Sequence, residues 1–164
     1  MEVFEGLTFE RVTQDDVGTL TEIMKRAFDE DSRRHLGQPS GGPPGYDDGS
    51  FIRRWFFHPG AHGYKVMRED GTVVGAVNLF IRDSHINNLG CMFVDTLCQD
   101  KGVGTKIWRF AEYKYPETKK WCTETPGFSK RNHNFYVNKC GFHVVRIENP
   151  KDTYEESYIL EKVM

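Results

Sequence analysis

The chain has 164 residues, a length that fits a single domain with a sizeable buried core. Hydrophobic residues make up 38% of it and charged residues 28%, which is the composition of a folded soluble protein and excludes disordered and fibrous classes. A formal net charge of −2 without a basic tail argues against a dedicated nucleic-acid binder, so we predict one domain over residues 1–164 and no nucleic-acid partner.

The first half of the chain predicts a strand, two helices and a hairpin. The segment "LTFERV" has strand composition, and residues 13–28 have a helical periodicity that starts at a capping box of Thr13 and Asp16. Residues 29–50 are rich in Gly, Pro and Ser and predict a long loop, followed by a short helix in "DDGSFIRRWFFH". The dipeptide Asp70-Gly71 then predicts a tight antiparallel hairpin.

The second half of the chain alternates strands with helices. The run "INNLGCMFV" predicts a strand, and "GTKIWRFAEYKY" predicts a helix that Pro116 ends. Further along, "KKWCTET" predicts a strand, "SKRNHNFYVNKC" a helix that ends at Gly141, and "FHVVRI" and "ESYILEKV" two closing strands. Early hairpins and later strands joined by helices indicate a mixed α/β fold.

Targeting and cysteine patterns narrow the class further. The N-terminus has no basic segment followed by an apolar one, and no run of about 18 apolar residues occurs, so we expect a cytoplasmic protein without membrane contact. The four cysteines, Cys91, Cys98, Cys122 and Cys140, show neither C-x-x-C nor Cys/His ligand spacing. Their spacing predicts buried thiols and no metal site.

A glycine-containing turn joins the "INNLGCMFV" strand to the next helix, in the order Gln99-Asp100-Lys101-Gly102-Val103-Gly104. A helix N-terminus presents unpaired amides, and glycines let the backbone approach a ligand closely, so this turn predicts a phosphate site. The P-loop pattern G-x-x-x-x-G-K-[ST] fits no window, and a dinucleotide pattern needs a glycine where Ile107 stands. Nucleoside triphosphatases and dinucleotide dehydrogenases are therefore disfavoured.

Two motifs in this order resemble the GNAT superfamily of N-acetyltransferases. The first is Q/R-x-x-G-x-G/A at residues 99–104, and the second is "RNHNFYVNKCGF", which is similar to that family's N-x-F-Y…K-x-G-F element. The resemblance covers residues 71–147 by motif. It implies a GNAT-like α/β (mixed, α+β-like) fold, with a central, mostly antiparallel mixed sheet of about seven strands and helices on both faces.

The resemblance also implies acetyl-CoA (coenzyme A) as the co-substrate, bound between the strands "LGCMFV" and "WCTET" with its diphosphate on the glycine turn. Asp100 departs from the small or basic residue that the family usually has there, and we expect Lys101 to compensate for its charge. The residues that the resemblance assigns to coenzyme binding are Phe93, Val94, Gln99, Asp100, Lys101, Gly102, Val103, Gly104, Thr105, Asn132 and Lys139.

Acetyl transfer to an amine needs a proton donor for the departing thiolate, which the family takes from a tyrosine of the F-Y motif. Two alignments of that motif are open here. Aligning on "RNHNFY" puts Tyr136 at the acid position, whereas aligning on "KCGF" puts Val137 there, because Tyr136 to Gly141 is one residue longer than usual. Both can hold only with a local bulge. We predict Tyr136 as the acid, against the alternative of a packed tyrosine whose hydroxyl pairs elsewhere.

For the base we predict Glu124, at the end of the "WCTET" strand. A solvated or salt-bridged Glu124, a histidine (His85, His133 or His143) and water alone remain alternatives. We expect residues 31–50 to cover the acceptor site as a lid. The acids that flank this segment suit a cationic amine; they are Asp29, Glu30, Asp31, Asp47 and Asp48. The basic residues within it suit an anionic acceptor instead; they are Arg33, Arg34 and His35.

Together these features predict an N-acetyltransferase that moves acetyl from acetyl-CoA to a primary amine by direct attack in a ternary complex. The acceptor is a small molecule or a peptide. The alternative is a non-catalytic acyl-CoA-binding module of the same fold, which the irregular F-Y spacing and Asp100 suggest. The resemblance also implies a homodimer that pairs through the closing strands.

Overall fold

The computed structural model describes residues 1–99 and 101–164. These residues form one eight-stranded sheet with α-helices packed against it. The strands are β1 (Glu2–Phe4), β2 (Leu7–Arg11), β3 (Ala61–Met67), β4 (Val73–Phe80), β5 (Ile86–Val94), β6 (Lys120–Pro126), β7 (His143–Glu148) and β8 (Ser157–Val163). The helices are α1 (Val17–Leu36), α2 (Ser50–Trp55), α3 (Val103–Lys114) and α4 (Lys130–Asn134), and a π-helical turn (Phe135–Lys139) continues α4.

The spatial order of the strands is β1-β2-β3-β4-β5-β6-β8-β7. Neighbours pair antiparallel except β5 and β6, which run parallel. The predicted mixed, mostly antiparallel sheet is therefore confirmed. The additional strand is β1, which is only three residues long and so too short to show a period in the sequence. It pairs with β2 across a turn at Glu5 and Gly6, both with positive φ.

Helices cover both faces of the sheet, because alternate residues of each strand point to opposite sides. On one face, Leu20 and Met24 of α1 and Ile52 of α2 are fully buried and pack with Ala76 of β4. On the other face, Val77 of β4 belongs to a larger cluster with α3. In that cluster the rings of Phe9 and Phe110 stack with centroids 3.8 Å apart.

A bulge in β5 reverses this alternation next to the predicted site. Asn78 of β4 lies opposite Cys91, whereas Leu79 lies opposite Leu89, so Gly90 is an additional residue in β5. Leu89 consequently packs on the α3 face, whereas Cys91 packs on the face of α1 and α2. The bulge turns the end of β5 so that Met92 and Val94 reach the α3 side.

The parallel strands β5 and β6 part at the point where we expect the coenzyme. Their register covers only Ile86–Asn88 against Lys120–Cys122. Beyond that point the Thr123 hydroxyl still donates a hydrogen bond to the Leu89 carbonyl, at 2.9 Å. The sheet therefore opens between the last residues of β5 and β6.

Helix α1 is longer than the sequence predicts, because it continues to Leu36 and ends at Gly37 with φ +66°. Residues 29–36 of the predicted loop are therefore helical. Charge pairs between Lys25 and Asp29 and between Glu30 and Arg34 stabilise these polar turns at i,i+4 spacing. No helix within the described part of the chain is both long and apolar enough to span a membrane.

Candidate active site

A cleft of about 200 Å³ lies at the opening of the sheet, between α1, the end of β5, the start of α3 and the π-helical turn. Most of the residues predicted to bind coenzyme A line it: Phe93, Val94, Gln99, Gly102, Val103, Gly104, Thr105, Asn132 and Lys139. Lys101 is exposed and lies outside the lining, and Asp100 lies outside the described residues. The fold therefore brings two separate sequence motifs to one cavity.

The N-terminus of α3 forms one wall of the cleft. Its N-cap, Gly102, has φ +78° and offers no side chain to the helix end. The first amides of an α-helix have no partner within the helix, and among the described residues the N–H groups of Val103, Gly104 and Thr105 form no other backbone hydrogen bond, so they can meet an anion. Open amides beside a cleft fit the diphosphate of coenzyme A.

Gln99 holds the turn before α3 in place. Its Nε2 donates to the Val94 carbonyl at 3.0 Å, and its Oε1 accepts from Nη1 of Arg131 at 2.8 Å. These bonds connect the end of β5 to α4 across the cleft. The ring of Phe135 packs closely on Gly104, because a Cβ at Gly104 would lie only 3.2 Å from Cε1 of Phe135.

Tyr136 lines the same cleft and is only 8% exposed. Its pKa is raised, chiefly by burial and further by the acidic groups of Cys91, Cys140 and Asp31, so the hydroxyl keeps its proton. Within residues 1–99 and 101–164 no group forms a hydrogen bond with that hydroxyl. The alternative of a hydroxyl paired elsewhere therefore finds no partner in the described part of the chain.

The π-helical turn explains the irregular motif spacing. The N–H of Cys140 donates to the Phe135 carbonyl at 3.0 Å, which is an i to i+5 bond, and the N–H of Phe142 donates to the Tyr136 carbonyl at 2.9 Å. Gly141 then ends the segment with φ +84°. The turn holds one more residue than an α-helical turn. It is a local bulge of the kind that would let the F-Y and K-C-G-F motifs both keep their places.

Glu124 does not lie in this cleft. Thr123 and Thr125 of β6 are buried, whereas Glu124 between them is exposed and points to the opposite face of the sheet. Its Oε1 accepts a hydrogen bond from the Ser157 hydroxyl at 2.5 Å. It lines a second groove, together with Leu89 and Gly90 of β5. Glu124 and Tyr136 therefore stand on opposite sides of the same strand opening.

A model of the acetyltransferase (GNAT) family matches residues 20–142. The chain belongs to the GNAT family. The chain is 40% identical over 98 residues to the uncharacterized protein YrkN of Bacillus subtilis (strain 168). That match covers 60% of the chain and 53% of YrkN, so the chain spans about half the length of this relative.

Solved structures agree with the GNAT fold. An acetyltransferase from Thermus thermophilus has a TM-score of 0.76 at 13% identity, over 96% of this chain and 97% of its own. Spermidine N-acetyltransferase from Vibrio cholerae, in complex with CoA and spermine, has a TM-score of 0.67 at 15% identity, over 96% and 95%. The ribosomal-protein-S18-alanine N-acetyltransferase from Escherichia coli has a TM-score of 0.73 at 13% identity, over 96% of this chain and 93% of its own. At these identities the likeness concerns the fold.

Four of the five acids predicted to attract an acceptor amine have local partners in this GNAT chain. Asp29 accepts from the Tyr46 hydroxyl at 2.6 Å, and Asp31 accepts from the Ser129 hydroxyl at 3.0 Å. Hydrogen bonds from two arginines of α1 lower the pKa of Glu30 to about 2. Asp48 accepts from the Ser50 amide at 2.9 Å. These charges therefore support helix and loop geometry, and they carry no information about the acceptor.

The histidines named as alternative bases lie away from the cleft. The Nε2 of His133 lies 3.0 Å from the Pro126 carbonyl, and its ring stacks on Tyr158 at 4.2 Å between centroids. His85 occupies a turn with φ +63°, and His143 is exposed on β7. None of the three lines either cavity.

The second groove is the feature that sequence reasoning missed. Its aromatic residues come from the end of α2 and from β4, which are far apart in the chain. The available signal was the aromatic-rich "FIRRWFFH", which we interpreted as a core helix. In the structure Ile52 and Phe56 are buried, whereas Trp55 remains partly exposed and lines the groove.

Proposed function

We propose that the chain is an N-acetyltransferase that transfers the acetyl group of acetyl-CoA to a primary amine by direct attack in a ternary complex. The observation that carries this proposal is that the open N-terminus of α3 and the buried Tyr136 line one cleft at the β5–β6 opening. An anion site and a protonated acid beside a split in the sheet are the two fixed points that acetyl transfer from coenzyme A requires.

The amides at the start of α3 hold the diphosphate, and the end of β5 borders the rest of the coenzyme. Acetyl-CoA supplies an activated thioester when it is bound. Glu124 takes a proton from the acceptor amine, directly or through water, so that the nitrogen can form a bond to the carbonyl carbon. The carbon–sulfur bond breaks, and Tyr136 Oη gives its proton to the departing sulfur. A tyrosine hydroxyl holds its proton at neutral pH, and burial raises the pKa of Tyr136 further.

The test is thiol release from acetyl-CoA in the presence of polyamines, aminoglycosides, amino acids and peptides, with mass spectrometry of the acetylated products. Polyamines belong in the panel because a fold neighbour is a spermidine N-acetyltransferase. We expect a product heavier by one acetyl group. Tight acetyl-CoA binding without turnover on any amine would instead favour the non-catalytic binding module, and absence of binding would overturn both.

We also propose that the chain pairs with a second copy through β7. This strand is at the edge of the sheet, and Val144, Val145 and Ile147 expose apolar side chains there. Pairing with a second copy would give hydrogen-bond partners to the backbone N–H and C=O groups at the open edge of β7. Light scattering after gel filtration tests this, with Val145→Lys expected to give a monomer. Localisation in the cytoplasm stays a prediction.

A further inference from the structure

The second groove has a continuous aromatic wall. The rings of Trp55 and His58 stack with centroids 5.8 Å apart, and the ring of His58 meets Phe80 edge-on at 6.0 Å. The groove has a volume of about 680 Å³, which is within the range of small-molecule sites. Such a wall favours an apolar or planar portion of a ligand.

The bulge in β5 brings this wall to the strand opening. A Cβ at Gly90 would lie 2.6 Å from Cε2 of Phe80, so the ring covers the bulge only because Gly90 has no side chain. The Asn78 side chain donates from Nδ2 to the Trp55 carbonyl at 3.0 Å and fixes the end of α2 over the sheet. Contacts with β4 and β5 therefore hold the aromatic wall in place, and Glu124 lines the same groove.

Arg82 is the oriented cation of this groove. Its Nη1 donates to Oδ1 of Asn88 at 2.5 Å and to the Ile86 carbonyl at 3.3 Å. Among residues 1–99 and 101–164, no carboxylate forms an ion pair with it. By contrast, Arg146 in the same groove is paired with Glu148 at 2.8 Å. Arg82 lines the groove and is exposed, and its remaining N–H groups form a fork that suits a carboxylate.

The register of β5 and β6 separates this cation from Glu124. Asn88, which holds Arg82, lies opposite Cys122. Glu124 is two residues further along the same face of β6, which is about 7 Å at the usual strand rise. The groove thus has a carboxylate at the strand opening, a guanidinium at the closed end of the split and aromatic rings along its side.

We propose that the acceptor is a zwitterionic amine of the amino-acid or short-peptide class. Its amine lies at Glu124, its carboxylate at Arg82, and its apolar portion against Trp55 and Phe80. This inference rests on the proposed function and adds the class of acceptor to it. A polyamine has no group for Arg82, so it would be the poorer substrate.

The experiment compares acceptors that differ only in the carboxylate. Suitable pairs are 6-aminohexanoate with pentylamine and the dipeptide Gly-Phe with its C-terminal amide, because in both acids the amine and the carboxylate are far enough apart to reach Glu124 and Arg82. We expect the acid of at least one pair to have a kcat/KM at least tenfold above its partner. Arg82→Gln should abolish that difference, and Arg82→Lys should keep part of it. Arg53→Gln, which changes an exposed arginine of α2 outside the groove, should leave the difference intact.

Binding without turnover gives a second, independent measurement. 6-Aminohexanoate and pentylamine are titrated into the protein saturated with coenzyme A, with the fluorescence of Trp55 as the signal and Trp55→Phe as the blank. We expect tighter binding of 6-aminohexanoate, lost in Arg82→Gln. Turnover of amines without any preference for the carboxylate, or a preference that survives Arg82→Gln, overturns this inference alone. Carboxylate-dependent binding without any turnover overturns the proposed function and keeps the assigned ligand class.

Discussion

The backbone N–H of Cys140 donates to the carbonyl of Phe135, five residues earlier, at 3.0 Å. This bond closes a π-helical turn that begins at Phe135, which packs on Gly104, and is followed by Gly141. π-helical turns are rare, occur mostly as single turns inside α-helices and are frequent at functional sites. Here the turn keeps Tyr136 in the cleft although the chain carries one additional residue.

Removal of that residue tests the turn directly. Deletion of Asn138, which is exposed, should convert the turn to α-helical spacing while Tyr136 and Gly141 keep their places. We expect a folded protein with acetyl-CoA affinity and kcat within about tenfold of wild type. Deletion of Asn134 is the comparison, because loss of a residue before Tyr136 rotates that side chain by about 100°. Inactive but folded Asn138-deleted protein would contradict this account.

Tyr136→Phe removes the proposed acid and little else. We expect kcat to fall by about 10²–10⁴, the usual contribution of a positioned acid, with acetyl-CoA affinity nearly unchanged. Thermal stability should also hold, because the hydroxyl has no hydrogen-bond partner among the described residues. Tyr154→Phe, at an exposed tyrosine remote from the cleft, controls for the substitution itself. Equal kcat values in both variants would assign Tyr136 a packing role.

The sequence predicted the order of the elements because their signals are local. Periodicity in residues 13–28, the Asp70-Gly71 turn and the glycine turn before α3 each depend on a few neighbouring residues. The mixed, mostly antiparallel sheet followed from them. The last two turns of α1 were missed, because charge pairs rather than apolar periodicity sustain the helix there.

The features that shape the site depend on contacts between distant segments, and these leave little trace in one sequence. The π-helical turn was visible only as an irregular spacing between Tyr136 and Gly141. The bulge at Gly90 reverses which residues of β5 face each side, so a simple alternation places Met92 wrongly. The second groove joins α2 to β5 and β6, and its residues become neighbours only when the sheet forms.

The diphosphate site has a matched pair of glycines for its test. Gly102 and Gly71 both have positive φ, +78° and +86°, and a Cβ at either would meet nothing within 4 Å. Alanine at each position should therefore cost a similar backbone strain of about 1–2 kcal/mol. Only Gly102→Ala should weaken acetyl-CoA binding, by tenfold or more in calorimetry, because only Gly102 borders the cleft. Equal acetyl-CoA affinities in the two variants would show that this turn does not bind the diphosphate.

We expect Asp95 to make the stability of the fold partly sensitive to acid. Burial raises its pKa, but hydrogen bonds from Arg26 and the Leu97 amide and the charge of Arg26 outweigh this, so the pKa lies below its ordinary value. A depressed pKa in the folded state contributes stability that is present above about pH 4 and is lost as pH falls through the folded pKa.

Asp95→Asn should therefore lower the free energy of unfolding at pH 7 by about 1–3 kcal/mol, since a charged hydrogen bond to Arg26 is lost. The deficit relative to wild type should shrink as the pH is lowered below about 4. Urea unfolding at neutral pH and at two acidic pH values, one on each side of the folded pKa, measures both effects. A deficit that stays constant over this range would mean that the carboxylate charge is not the source of the stability.

Glu124→Gln tests the proposed base with little change of shape. The glutamine oxygen can still accept the hydrogen bond from the Ser157 hydroxyl, so the groove should keep its geometry. We expect kcat/KM for the acceptor to fall by about 10²–10⁴, with acetyl-CoA affinity unchanged. Glu155→Gln, at an exposed glutamate outside the groove, should leave both unaltered. If the rate fell less than tenfold, water would be the proton acceptor and Glu124 would serve only to bind the acceptor amine.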